Sequence, residues 1–111
     1  MSFYTQRMTK EQKRIPQEIT KKGGQWTFLS NHAHVLICLS KDPDMRLKDV
    51  ASLVGITERA VQAIVKDLVD AQILEKSKDG RRNQYIIQAE QKLRHTLEAN
   101  HSISELLRLG K

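Results

Sequence analysis

The chain has 111 residues, a hydrophobic content of 39% and a formal net charge of +6, from 19 Lys and Arg against 13 Asp and Glu. That length fits one domain with one small core, marginal enough for a partner subunit to help. The basic balance favours an anionic partner, and an aromatic content of only 5% argues against a protein that stacks single-stranded bases on aromatic platforms.

Cys38 is the only cysteine and sits in the apolar run Val35-Leu36-Ile37-Cys38-Leu39. It reads as a small buried hydrophobe. A lone thiol forms no internal disulfide, which suits a reducing compartment. No run approaches the roughly 20 apolar residues of a membrane span, and the N-terminus lacks the apolar stretch of a signal peptide. A cytoplasmic protein without membrane association is expected.

Residues 1–24 form a basic arm, with Arg7, Lys10, Lys13, Arg14, Lys21 and Lys22 against Glu11 and Glu18. Pro16 and Gly23-Gly24 interrupt any long helix there. A flexible arm follows, free to touch phosphates, to cover a neighbouring subunit or to remain solvated. Trp26, Phe28 and Leu29 are placed to fasten it to the core of a domain over residues 25–88. Ser30 or Asn31 can cap a helix with Val35, Leu36, Leu39 and Cys38 on its apolar side, ending near Lys41 because Pro43 follows.

Met45-Arg46-Leu47 is too short to classify from its residues and could add a short edge strand. Residues 48–54 read as a compact helix with Leu47, Val50, Ala51 and Val54 inward, and Gly55 permits a tight turn behind it. Thr57 then caps a third helix, with Glu58 in its first turn. Val61, Ile64, Val65 and Leu68 recur at spacings of three and four, an apolar stripe that carries this helix to about Ala71 or Gln72. Beyond it, Asp79-Gly80 between two short strand-like segments predicts a hairpin over residues 73–87, with Tyr85 and Ile87 covering the helices. Residues 89–111 read as a helical extension: Leu93 and Leu97 suggest one helix, and Ser102 with Glu105 has capping-box spacing before another. Its leucines could close the core or form a two-fold subunit contact.

The order helix, helix, tight turn, helix, basic hairpin contains a helix-turn-helix. With Val61, Val65 and Leu68 inward, the third helix presents Glu58, Arg59, Gln62, Ala63 and Lys66 outward. Arg59 can pair with guanine O6 and N7, Gln62 with adenine N6 and N7, and Glu58 can accept from cytosine N4. Ala63 admits close approach and can meet a thymine methyl, so these four are the candidate base readers. Thr57 and Lys66 are candidates for phosphate. Any solvated helix shows polar residues outside, so the helix alone is weak evidence. Lys76, Lys78, Arg81 and Arg82 crowd the hairpin, however, and a basic hairpin beside a candidate reading helix makes a two-point clamp on duplex DNA.

The stretch "RLKDVASLVGITERAVQAIVKDLVDAQILEKSKDGRRNQYII" resembles the winged helix-turn-helix of transcription regulators, in particular the MarR-like and ArsR-like branch. The resemblance implies an α/β winged helix, mainly α with a small β-hairpin, with residues 57–72 as recognition helix and residues 73–87 as wing. It places Thr57, Glu58, Arg59, Gln62, Ala63 and Lys66 towards an operator, and Arg81 and Arg82 in the wing. It further implies a homodimer on near-palindromic double-stranded DNA. The family pattern often has Gly where this chain has Gln72.

No enzymatic chemistry is expected. Gly23-Gly24 lacks the surroundings of a nucleotide loop, Asp42 and Asp44 straddle a proline as turn residues, and Ser102 is a helix cap. His32, His34, His95 and His101 show no ligand spacing, so neither a metal nor a cofactor is expected. The leading expectation is a sequence-specific transcriptional regulator, a repressor since occupancy of a promoter suffices. Space between core and C-terminal segment leaves room for a small-molecule effector. Two alternatives remain. A protein-interaction winged helix would show an apolar patch at Ile64, Ile86 or the terminal leucines. A non-specific architectural DNA binder would need the basic surface but not Gln62 or Glu58.

Overall fold

The computed structural model describes residues 26–111, so the basic arm over residues 1–24 lies outside the described residues. Helix α1 spans Asn31–Lys41 and is capped by Ser30, whose Oγ accepts from the Ala33 amide at 3.2 Å. It buries Ala33, Val35, Leu36 and Leu39. Asp42 leaves the helix in an extended conformation (φ −146°), as the residue before a proline favours. Trp26 and Phe28 do not join the core as expected: they are 58% and 90% exposed and meet each other edge to face at 4.8 Å.

Helix α2 spans Leu47–Val54 and buries Val50, Ala51 and Val54. Residues 45–47 do not form the expected edge strand. The Arg46 carbonyl already accepts from the Asp49 and Val50 amides and so opens α2. A single backbone bond, Tyr85 N–H to the Pro43 carbonyl at 3.1 Å, runs from the hairpin to this connection. Gly55 ends α2 at φ +88°, and its amide and that of Ile56 both donate to the Ala51 carbonyl. A side chain at Gly55 would meet the left-handed penalty, which explains the residue.

Helix α3 spans Glu58–Asp70, with Thr57 Oγ1 accepting from the Ala60 amide at 3.0 Å. Val61, Ile64, Val65 and Leu68 are all buried, as their spacing predicts. The helix closes in a Schellman motif. The Ile73 amide donates to Leu68 O and the Gln72 amide to Val69 O, both at 2.9 Å, and the side chains of Ile73 and Leu68 are buried. This motif puts Gln72 at φ +64°, the one non-glycine residue with positive φ among the described residues. Gln72→Gly is therefore expected to stabilise the fold by about 0.5–1 kcal/mol, read by urea denaturation. An unchanged or lower midpoint would contradict the assignment of strain to this position.

Strands β1 (Leu74–Asp79) and β2 (Arg82–Ile87) pair antiparallel, Leu74 opposite Ile87 and Asp79 opposite Arg82. The two-residue loop carries Gly80 at φ +69° in its first central position, the place where a II′ turn takes glycine. Leu74, Tyr85 and Ile87 share the face that packs on the helices, with Tyr85 only 4% exposed.

Beyond Ile87 the expected helix around Leu93 and Leu97 does not form. The segment folds back on itself as a Lys92–Ser102 bridge, with a single 3-10 turn at Thr96–Glu98, and leaves Leu97 84% exposed. Gln91 Nε2 donates to the Gln72 carbonyl at 3.0 Å, tying the segment to the end of α3. The capping box does form: Ser102 and Glu105 exchange both bonds at the start of α4, Ile103–Leu107. His101 donates to Glu105 at 2.7 Å, and that bond, with the Ser102 amide, holds the Glu105 carboxyl below the usual glutamate range. A folded pKa below the unfolded one stabilises fully above the unfolded value and is lost as pH falls through the folded value. Glu105→Gln should accordingly flatten the fall in Tm between roughly pH 5 and pH 3, followed by thermal melts.

The core unites all these elements. Val35, Leu39, Val50, Val61 and Ile103 are its most completely buried members, and no polar or charged side chain is buried among the described residues. Cys38 packs against this cluster half-buried, and burial pushes its thiol above the ordinary range, with Lys41 opposing.

Candidate nucleic-acid interface

The register of α3 divides its surface into three strips. Val61, Ile64, Val65 and Leu68 face the core. Arg59, Ala63, Lys66 and Asp70 occupy the opposite, outermost strip. Glu58 and Gln62 lie on the shoulder towards the hairpin, and Asp67 lies on the other shoulder, where His32 Nε2 of α1 donates to its carboxylate at 2.8 Å. Burial of Ile64 at 7% exposure removes it from any surface patch. Of the apolar side chains expected outside, Ile86 (47%) and Leu109 (66%) are exposed.

The shoulder and the hairpin together enclose an open groove of 450 Å³. Glu58 and Gln62 line one wall, Arg81, Arg82 and Asn83 the other, and Arg46 and Asp44 the end between them. The hairpin is held at this angle by Gln84 Nε2, which donates to Asp44 Oδ1 at 3.1 Å, and by the Tyr85–Pro43 backbone bond. Asp44 is thereby occupied within the protein, and three arginines give the groove its positive character.

The candidate residues thus fall into separate places. Glu58, Gln62, Arg81 and Arg82 converge on the groove. Arg59 and Ala63 face straight outward beside it and are exposed. Lys66 is exposed too but bonded to Asp70 at 2.8 Å, an ion pair that raises its pKa and that a phosphate would have to displace. Thr57 is exposed, and its Oγ1 accepts from the Ala60 amide in the helix cap, which leaves its O–H to donate outward. Lys76 and Lys78 continue the Leu74 face of β1 towards the tip, exposed, while Arg82 lies on the other face, so the tip is basic on both sides.

Arg46 and Asn83 belong to this groove and carry no signal for it in the sequence. Arg46 is separated from the wing by the whole of α2 and α3, and the bonds from Gln84 to Asp44 and from Tyr85 to Pro43 bring the two together. The histidines do not assemble: His32 bonds Asp67, His34 bonds Asn31, His95 caps Leu97 and His101 bonds Glu105. No group of three or more His, Cys, Asp or Glu among the described residues could hold a metal ion. No helix among them is long and apolar enough to cross a membrane.

Three helices over a two-stranded wing, with a tight turn between the second and third, define a winged helix-turn-helix. A family model described as winged helix-turn-helix DNA-binding matches residues 31–75, from the start of α1 to the first residues of β1. No curated protein and no solved structure matches the chain. The match covers the three helices and the entry to the wing, and the architecture is that of a winged helix-turn-helix.

Proposed function

We propose that the chain is a sequence-specific regulator of transcription, acting as a repressor through a homodimer on a near-palindromic operator, and related to the MarR-like and ArsR-like branch. The observation that carries this reading is the meeting of Glu58 and Gln62 with Arg46, Arg81 and Arg82 across one groove, beside an outward-facing Arg59. In the major groove, α3 would offer Arg59, Gln62, Glu58 and Ala63 to base edges, while the wing tip and Arg46 meet phosphates. One small module reads few bases, and a two-fold pair would read half-sites one helical turn apart. Occupancy of a promoter suffices for repression. The protein would act in the cytoplasm, where its operator lies.

The test is selection from a randomised duplex pool followed by fluorescence anisotropy with a salt titration. The reading expects an enriched two-fold motif. Arg59→Ala should weaken binding to it by about 1–3 kcal/mol and relax preference at one base position. Lys78→Ala should weaken binding to all duplexes alike and reduce the salt slope by about 0.9. Equal losses on selected and unrelated DNA for both substitutions would refute this division. Salt-sensitive binding without enrichment would favour an architectural role. No duplex binding at low salt from folded protein would move the function to a protein partner, with Ile86 on the outer wing face as the place to look.

A further inference from the structure

An open groove of 730 Å³ runs along the outer edge of β2 at the base of the wing. Its other wall is the end of α1, with Lys41, and the turn over Arg108–Gly110. Gly110 lets that turn close on α1, since a side chain there would collide with Ile37. The floor is apolar, built from Leu39, Tyr85, Ile87 and Leu107. Only Tyr85 is shared with the groove that holds Arg46 and Arg81, so the outer face of α3 and the wing tip stay clear of this one.

The edge of β2 is left open at one residue. The Gln88 amide donates to Ile73 O at 2.8 Å, so Gln88 bonds across to the β1 side. By the alternation of an antiparallel ladder, Tyr85, Ile87 and Ala89 direct their backbone groups the other way, into the groove. There the Tyr85 amide donates to the Pro43 carbonyl, and the Ala89 carbonyl accepts from the Ser104 amide. Ile87 lies between these two, and neither its N–H nor its C=O bonds another described residue on that edge. A half-buried peptide group beside an apolar floor favours a partner.

The rim carries charge of one sign. Lys41, Arg108 and Lys111 are exposed, none forms an ion pair among the described residues, and no acid among those residues lines the groove. Glu105 turns its carboxylate to His101 and the Ser102 amide, and Asp44 accepts from Gln84. A fitting occupant therefore brings an extended backbone, apolar side chains and negative charge. The chain's own arm has the wrong sign, with six basic residues against two acidic ones over residues 1–24. Duplex DNA has the charge but neither the strand nor the apolar side chains.

We propose that this groove docks an extended acidic segment of a partner protein, which lies beside β2 as a short third strand bonded to Ile87. Alternate apolar side chains rest on the Leu39, Tyr85 and Leu107 floor, and the carboxylates between them meet Lys41, Arg108 and Lys111. In strand addition the main-chain bonds supply affinity and the alternate side chains supply specificity. Docking here leaves the outer face of α3 free, and it holds whether or not that face reads DNA.

The experiment is an NMR titration of the full-length ¹⁵N-labelled protein with an acetylated, amidated pentapeptide that alternates glutamate and valine. The expected result is saturable shifts centred on Leu39, Ile87, Leu107 and Gly110, with slower hydrogen exchange of the Ile87 amide. The same peptide with lysine for glutamate should not bind. Two further peptides are N-methylated, one at the valines and one at the glutamates. Only every second amide faces β2, so one of the two should bind about tenfold more weakly than the parent. The double variant Lys41→Gln/Arg108→Gln should also weaken the parent peptide by about tenfold or more, through loss of charge-assisted bonds. Both side chains are exposed, so an unaltered amide spectrum elsewhere establishes that the variant folds. Absence of saturable shifts with the parent peptide overturns the proposal. So do equal binding of the lysine peptide, full affinity of both N-methylated peptides, or full affinity of the double variant. Titration with a short DNA duplex is the last arm: larger shifts at Ile87 and Leu107 than at Arg59 and Gln62 would assign the groove to nucleic acid and overturn the proposal as well.

Discussion

Ile103→Ala is expected to lower the unfolding free energy by about 2–4 kcal/mol, a fall in Tm on the order of 10 °C or more for a domain of this size. The residue is 2% exposed and belongs to the same cluster as Leu36, Leu39 and Leu68. Truncating its side chain there forfeits the transfer free energy of the removed carbons and leaves a cavity that α1 and α3, fixed by each other, cannot close. The backbone around it adds to the effect. The Ile103 amide donates to Gln91 O and the Ser104 amide to Ala89 O, both at 2.9 Å, and α4 is only five residues long. A helix that short has no stability of its own, so loss of its anchor should release the whole returning segment. Leu97→Ala is the control: at 84% exposure it should change stability by less than about 0.5 kcal/mol. Denaturant midpoints decide the matter, and equal effects of the two substitutions would mean that the C-terminal segment is not part of the core.

The contrast between those two residues also marks where the sequence was legible. Helices α1, α2 and α3 were readable because each carries its own stripe of apolar residues at helical spacing and its own end signals: Ser30 and Thr57 as caps, Pro43 and Gly55 as stops. The hairpin was readable from Asp79-Gly80, and the capping box from Ser102 and Glu105. Leu93 and Leu97 have the same helical spacing, yet Leu97 is solvent-exposed and the chain there is held by bonds to distant partners, Gln91 to Gln72 among them. Those bonds leave no trace in local periodicity. Trp26 and Phe28 failed in a related way: an aromatic pair can pack ring against ring while staying largely in solvent. At the interface, Glu58 and Gln62 could be placed because helical geometry fixes their direction. Arg46 could not, because its relation to the wing depends on tertiary bonds from Gln84 to Asp44 and from Tyr85 to Pro43. The same limit applies to Lys66, whose spacing from Asp70 permits an ion pair as readily as a bond to phosphate.

Replacing both arginines of the wing, Arg81→Ala/Arg82→Ala, is expected to cost about 10- to 100-fold in duplex affinity at low salt, on selected and unrelated DNA alike, and to reduce the salt slope by about 0.9 for each phosphate that is no longer neutralised. Both side chains are exposed, and neither replaces Gly80, so the turn and the strand register should survive. The magnitude follows from their position. They form one wall of a groove whose other wall carries Glu58, so a phosphate strand entering without them would meet the Glu58 carboxylate with only Arg46 opposing it. Arg46→Ala should therefore add to the double variant rather than be masked by it, and should by itself weaken binding less, since two arginines then remain. Gln62→Ala should act differently: it removes no charge, leaves the salt slope unchanged and relaxes preference at a single base pair by about 1–3 kcal/mol. If Arg81→Ala/Arg82→Ala left the salt slope unchanged while Arg46→Ala lowered it, phosphate would enter from the α1–α2 connection alone, and the wing would have to be assigned to something other than DNA.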